Sequence, residues 1–177
     1  MHEIILVPPA KEHELKAIEF KDEFLRHDEK IINGSSLFDQ MEFEEWIIHL
    51  AKSSKQQTVD ENWVPSTTLF ALRIKDERIT GIIDIRHHIN HPFLYEFGGH
   101  IGYAVRPSER RKGYATSMLS LALGLAKDLG LESVMLGCYA DNIGSIKTIL
   151  KNGGILTNTK PYYDGKLVNI YQISTTK

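Results

Sequence analysis

The stretch Val105-Arg106-Pro107-Ser108-Glu109-Arg110-Arg111-Lys112-Gly113-Tyr114-Ala115 decides how this chain is read. The apolar run from His100 to Val105 ahead of it reads as a strand. The long amphipathic run opening on Ala115 and Thr116 reads as a helix. A strand, a basic loop containing glycine and a helix start together make an anion site. The first N–H groups of a helix have no internal acceptor, and the helix dipole adds partial positive charge there. Gly113 lets the main chain approach an anion with no Cβ in the way. The ligand expected of such a site is a phosphate or pyrophosphate. The loop lacks the Lys-Ser/Thr ending of a P-loop and the three glycines of a dinucleotide fingerprint. The plainer alternative is a basic surface turn ahead of a helix.

Working outward, the elements alternate in a definite order. Ile4 to Val7 reads as a short strand stopped by Pro8-Pro9. Leu15, Ile18, Phe20, Phe24 and Leu25 give a helical stripe that Asn33-Gly34 breaks. Asp39 reads as the N-cap of a second helix carrying Phe43, Trp46, Ile47 and Leu50. A polar loop follows. Leu69 to Ile74 and Ile79 to Ile85 read as strands around a turn, with Gly81 at a bulge. Asn90 to Gly98 reads as a loop, and Gly99 to Val105 as the strand before the basic stretch. Ala115, Met118, Leu119, Ala122, Leu125, Ala126 and Leu129 fall at helical spacing, with Gly130 as the stop. Ser133 to Tyr139 is a further strand, and Asp141 or Asn142 caps a short helix. Ile155 to Thr159 and Lys166 to Ile173 flank an Asp164-Gly165 hairpin turn. Periodicity alone limits this to one domain of α/β or α+β class.

Composition narrows the functional class. The 177 residues fit one domain, and 42% hydrophobic with 25% charged residues is ordinary for a globular protein. A net charge of −2 provides no global field for nucleic acid. One cysteine excludes an internal disulfide framework and fits a reducing compartment. The N-terminal Met-His-Glu-Ile-Ile-Leu-Val lacks the features of a signal peptide. No apolar run reaches the roughly 18 residues of a membrane span. A cytoplasmic protein is expected, with no membrane and no nucleic-acid partner.

Val105, Pro107, Arg110, Gly113 and Ala115 match Val-x-Pro followed by Arg/Gln-x-x-Gly-x-Gly/Ala. About 30 residues on, Asn142-Ile143-Gly144-Ser145 and then Lys151-Asn152-Gly153 match a second pattern in the same order. With these motifs and this element order, the chain resembles the GNAT superfamily of N-acetyltransferases from its first strand to its last hairpin. The resemblance implies an α+β (mixed α/β) fold forming one domain over residues 1–177. Its central mixed, mostly antiparallel sheet would have central strands that splay apart, with helices flanking it. It implies acetyl-CoA as co-substrate and no metal. Ala104 and Val105 would offer main-chain groups to the pantetheine arm. The Arg110, Arg111, Lys112, Gly113, Tyr114 and Ala115 amides, with Thr116, would hold the pyrophosphate. Asn142 and Ser145 would contact the arm and its phosphates. It also leaves room for a homodimer through the C-terminal strands.

The reaction implied is direct transfer of acetyl to a primary amine, in a small molecule or a peptide. An amine of pKa near 10.4 is about 0.04% neutral at pH 7, so a base is needed. The resemblance places that base at His100, whose ring titrates in the right range; Glu96 is the second candidate. Alternation puts His100 and Gly102 on one strand face, with Ile101 and Tyr103 on the other. Many family members carry a proton-donating tyrosine seven residues after the Asn142 position, and here that residue is Ile149. Tyr139, Tyr162 and Tyr163 are nearby by topology. Arg86 and His88, in Arg86-His87-His88-Ile89-Asn90-His91, are read as acceptor contacts, Arg86 pairing a carboxylate bidentately. Cys138 has no adjacent histidine to activate it, which argues against an acyl-enzyme. Two rivals remain at this stage. One is a non-catalytic acyl-CoA-binding module, and the other a metal- or nucleotide-binding domain built on the histidines and the basic loop.

Overall fold

A computed structural model describes residues 3–176; Met1 and His2, part of the N-terminal stretch read for a signal, lie outside the described residues, as does Lys177. The elements follow the expected order: β1 (Ile4–Val7), α1 (Glu14–Arg26), α2 (Phe43–Ser53), β2 (Ser66–Arg73), β3 (Arg78–Arg86), β4 (Ile101–Val105), α3 (Tyr114–Asp128), β5 (Ser133–Tyr139), α4 (Ile143–Lys151), β6 (Ile155–Pro161) and β7 (Leu167–Ser174). Strands β1-β2-β3-β4 form one antiparallel sheet and β5-β7-β6 another. The two meet at a single isolated bridge, Gly99 to Leu136. The splay is therefore a real break in the hydrogen-bond ladder.

Helices cover both faces. On one side α3 and α4 bury Tyr114, Met118, Leu119, Ala122 and Ile149 against Leu69, Ala71, Ile83, Ile101 and Leu136. On the other, α1 and α2 bury Phe20, Phe24, Phe43 and Trp46 against Phe70, Leu72 and Ile82. Trp46 is fully buried, stacks on Phe38 at 4.3 Å, and donates its indole N–H to Ser35 O at 2.8 Å. An aromatic side chain in a core satisfies its polar tip this way. The first core joins both half-sheets, so packing rather than strand pairing holds them together.

Four local expectations are corrected. Leu15, Ile18 and Leu25 face outward from α1 while Ala17, Phe20, Glu23 and Phe24 are buried. A charged residue enters the core because a buried guanidinium waits there. Asp39 does not cap α2; it sits in a short 3-10 turn and accepts the Ile32 N–H at 2.8 Å. The helix starts instead after Glu42, without a side-chain cap. The stretch read as a loop ahead of β4 contains a π-helical turn, Leu94–Gly98. The bulge falls beside Gly81 rather than on it: Ala71 pairs Gly81 and Leu72 pairs Ile79, leaving Thr80 extra. Gly81 itself is needed because Met118 and the Ala104 carbonyl crowd its Cβ position.

A charge network ties α1 to the chain between β4 and α3. Arg106 is buried and pairs with Glu23 and Glu19, while Glu23 also accepts the Ser108 N–H at 2.7 Å. Glu109, buried as well, bonds Arg73, Arg78 and Lys112. Burial alone would raise the Glu23 pKa, but hydrogen bonds from Ser108 and Arg106 outweigh it and hold the group at about 2. A carboxylate depressed from 4.5 to about 2 contributes stability that is complete above pH 4.5 and is lost as pH falls toward 2. Glu23→Gln is expected to flatten the acid limb of unfolding free energy against pH in that window. Arg106→Ala, which leaves Glu23 buried and unpaired, should cost about 3–5 kcal/mol by denaturant titration.

Candidate functional site

The basic loop is shaped from below. After the Arg106 anchor, Pro107–Glu109 make one 3-10 turn. Arg111 and Gly113 then take left-handed conformations, φ +64° and +89°. Gly113 precedes α3, and a Cβ there would meet nothing within 4 Å, so the glycine is required by conformation and faces open space. No side chain caps the helix. Its first-turn amides, those of Ala115 and Thr116 among them, therefore point out of the helix toward the loop.

The three cations differ sharply. Arg110 is clamped bidentately to Glu29 at 2.6 and 2.7 Å and lies over the Phe24 ring. Lys112 bonds Glu109 at 3.0 Å and the Ser108 carbonyl at 2.8 Å. Among the described residues Arg111 alone of the three has no ion-pair or hydrogen-bond partner, and it is exposed. Tyr114 contributes only main chain to the loop surface, because its ring is buried and its hydroxyl accepts from Arg73 at 3.1 Å.

The break between β4 and β5 opens beside this loop. Arg86 N–H bonds His100 O at 2.7 Å and Arg106 N–H bonds Thr80 O at 2.9 Å. In an antiparallel ladder this fixes the alternation. Gly102 and Ala104 bond β3, while the main-chain groups of Tyr103 and Val105 point away from it, toward the gap, where Arg110 Nε donates to the Val105 carbonyl at 3.1 Å. Ala104, expected to serve the pantetheine arm, thus gives its main chain to β3, and Tyr103 is the neighbour whose main chain faces the gap. Opposite, Ala140 N–H bonds Leu167 O, so by the same rule Gly137 and Tyr139 present main-chain groups to the gap from β5. An extended, amide-bearing chain could pair with both walls as an added strand. Asn142 caps α4 at the gap's far wall, accepting the Ser145 N–H at 3.1 Å. The Tyr103 hydroxyl reaches across to Ser145 Oγ at 2.7 Å. Burial pushes that phenol up to about 12. Alternation along β4 turns Tyr103 to the face opposite His100, and that face leads to α3 and α4.

The strands close at His100. Its N–H donates to Met135 O at 2.8 Å, and its Nδ1 accepts the Met135 N–H at 2.9 Å. Since a backbone N–H only donates, the ring proton is on Nε2. Burial, then the positive charge of Arg86 and His88, pushes His100 down to about 4. A neutral imidazole with its lone pair engaged is poorly suited to the base role expected of it. The ring borders a cavity of about 350 Å³ on the α1/α2 side, which Tyr95, Glu96, Met135, Asn158 and Lys160 also line. A smaller cavity of about 190 Å³ lies at the Arg106 charge network, away from the gap. Glu96 is exposed, and Lys160 pairs with it while lying over Phe97.

The remaining candidates are drawn elsewhere. Arg86, expected to face an acceptor carboxylate, turns inward: its Nη1 donates to Gly98 O at 3.2 Å and Gly99 O at 3.1 Å, and Nε lies 3.5 Å from Asp84. It binds the end of the π-helical turn to β3. His88 bonds Gln56 through Nε2 and accepts the Asn90 N–H at Nδ1. His87 pairs with Thr67 and His91 packs on Trp63. Among the described residues no three His, Cys, Asp or Glu side chains are grouped to hold a metal. Ile149 is core, packed under Gly154. Tyr139 donates to Asp164 at 2.8 Å, and Tyr162 and Tyr163 pack around Phe97. Burial raises the Cys138 thiol. No described helix is long and apolar enough to cross a membrane.

Comparison with known proteins agrees with this geometry. No curated protein matches the chain. Its fold is similar to the ribosomal-protein-S5-alanine acetyltransferase of Vibrio fischeri, at TM-score 0.69 and 15% identity over 100% of this chain and 95% of that one. An N-acetyltransferase from Staphylococcus aureus Mu50 has TM-score 0.66 at 16% identity, covering 98% and 99% of the two chains. The microcin C7 self-immunity acetyltransferase MccE, solved in complex with acetyl-CoA and AMP, has TM-score 0.66 at 18% identity over 98% and 93%. At these identities the likeness is one of fold. A family model described as the acetyltransferase (GNAT) domain matches residues 3–155, from the start of β1 to the start of β6, and takes in both the loop and the gap; the chain belongs to the GNAT acetyltransferase family.

Proposed function

We propose that this protein transfers acetyl from acetyl-CoA to a primary amine, directly, with both substrates bound. The observation that carries the reading is the break between β4 and β5, walled by main-chain groups of Tyr103, Val105, Gly137 and Tyr139 and leading from a basic helix start. The α3 amides and Arg111 would take the pyrophosphate. The gap walls would pair with the pantetheine amides, and Asn142 and Ser145 at the start of α4 would line the arm. The MccE structure with acetyl-CoA, and the family to which the chain belongs, support this assignment. The S. aureus neighbour named an N-acetyltransferase supports an amine acceptor.

The acceptor would arrive through the cavity that His100 and Glu96 share. Its nitrogen attacks the thioester carbonyl, a C–N bond forms as the C–S bond breaks, and the ammonium proton must leave. Glu96, paired with Lys160, would receive it through water and attract a cationic amine beforehand. His100 holds the closed end of the gap, and its Nε2–H faces the acceptor side as a donor.

Four outcomes are expected. Acetyl-CoA at 100 times its Kd should raise unfolding free energy by about 2.7 kcal/mol, seen as an increase in Tm. A protein unmoved by millimolar acetyl-CoA refutes the co-substrate reading, and stabilisation without CoA release from any amine in a panel favours a non-catalytic acyl-CoA-binding module. Arg111→Ala should weaken acetyl-CoA binding by up to about fivefold, as expected for an exposed charge, and flatten its salt dependence, while Lys112→Ala changes affinity less. Glu96→Gln should lower kcat/KM by about 100-fold, the low end for general base catalysis, with acetyl-CoA affinity retained. His100→Ala should instead lose stability while keeping the shape of the pH–rate profile between pH 5 and 8, because a ring titrating near 4 is neutral throughout that range. That stabilising contribution is present above pH 6.5 and lost as pH falls through 6.5 toward 4.

A further inference from the structure

We propose that Tyr103, reaching from β4, donates the hydrogen bond that stabilises the departing coenzyme A sulfur, in place of the α4 tyrosine whose position Ile149 occupies. The inference rests on the acetyltransferase reading above. Its basis is placement. Tyr103 lies in the middle of β4, between the Val105 end beside the phosphate loop and the Gly99–Leu136 closure. Its side chain projects to the α3/α4 face with Ile101 and Val105, and its hydroxyl spans the gap to Ser145 Oγ at 2.7 Å. An arm threaded from the loop toward the closed end must pass this hydroxyl. Of the other tyrosines near the gap, Tyr139 is turned to Asp164 and Tyr162 packs among aromatic rings. Cys138, close enough for its thiol to feel the Ser145 hydroxyl, is pushed up by burial, which disfavours a second thiolate on that wall.

The chemistry suits donation of a hydrogen bond rather than of a proton. When the C–S bond breaks, the electron pair goes to sulfur, giving a thiolate whose conjugate thiol has a pKa of about 8.5. A phenol held at about 12 keeps its proton against such a thiolate. It therefore remains O–H throughout and strengthens its hydrogen bond as negative charge collects on sulfur. The acceptor ammonium proton leaves separately, and the thiolate departs as such. Ser145 is the partner of the hydroxyl at rest and a positioning residue in this scheme.

The test compares binding of CoA and desulfo-CoA, which differ at the sulfur alone. Wild-type protein should bind CoA about 10- to 100-fold more tightly than desulfo-CoA at a pH where the thiolate forms, the range for one hydrogen bond to a charged group. Tyr103→Phe should abolish that preference while leaving desulfo-CoA affinity unchanged. The bound CoA thiol, followed by thiolate ultraviolet absorption, should titrate about 1–2 pH units lower on wild type than on Tyr103→Phe, matching the same fold-change. In turnover, Tyr103→Phe should lower kcat about 10- to 100-fold with KM for acetyl-CoA preserved. Ser145→Ala should keep the CoA preference. If Ser145→Ala loses the preference and Tyr103→Phe keeps it, the sulfur contacts Ser145 and the proposal is overturned. Equal preference in wild type and Tyr103→Phe overturns it too. If wild type binds neither compound, the acetyl-CoA reading itself fails, a result distinct from both.

Discussion

The structure depends on how β4 leaves β5. A continuous sheet would pair their main-chain groups along the whole length. Here pairing ends after one bridge, where His100 fills both sides of a ladder step: its N–H bonds the Met135 carbonyl and its imidazole accepts the Met135 N–H. A side chain in place of a carbonyl lets the strands turn apart. Gly99 at φ +64° permits the turn, and Gly137 admits the Phe97 carbonyl, which any Cβ would meet at 1.9 Å. Beyond this step the walls present main-chain groups that no neighbouring strand takes, the Val105 carbonyl being held by Arg110 Nε at 3.1 Å, and in a protein such groups call for a partner.

The basic loop depends on the opposite device, over-determination by charge. Glu23, Arg106 and Ser108 fix one end of it, and Glu109 with Arg73, Arg78 and Lys112 fixes the other. Isolated buried ion pairs stabilise little on balance. Their effect here is geometric: they hold Arg111 and Gly113 in left-handed conformations ahead of an uncapped helix. Two of the loop's three cations are thereby structural. A string of basic residues does not show by itself which of its members a carboxylate will take, here Glu29, just past α1, for Arg110 and Glu109 for Lys112.

Legibility followed the range of the interactions. Element order, the α3 start and stop, the Asn142 cap and the Asp164-Gly165 turn were readable because each rests on neighbours within a few residues. The face assignment of Ile101 and Tyr103 also held, since alternation is local. Glu23 was unreadable as a buried residue because its partner, Arg106, comes 83 residues later. Asp39 looked like a cap and bonds Ile32 instead. Arg86 looked like a substrate clamp, but two carbonyls of the π-helical turn took its guanidinium.

The sequence by itself determined the family and the stretch where an anion site is expected, because a strand, a glycine loop and a helix start carry their chemistry in consecutive residues. Only the tertiary structure decided which polar groups are available for chemistry. His100 has its lone pair engaged because β5 supplies an N–H, and its burial keeps the ring neutral; Arg111 alone of its run is free because Glu29, just past α1, and Glu109 of the loop take the other two cations; and Tyr103 spans the gap because α4 sets Ser145 opposite it. Each outcome turns on a hydrogen-bond or ion-pair partner distant in the chain, and a local pattern cannot name that partner.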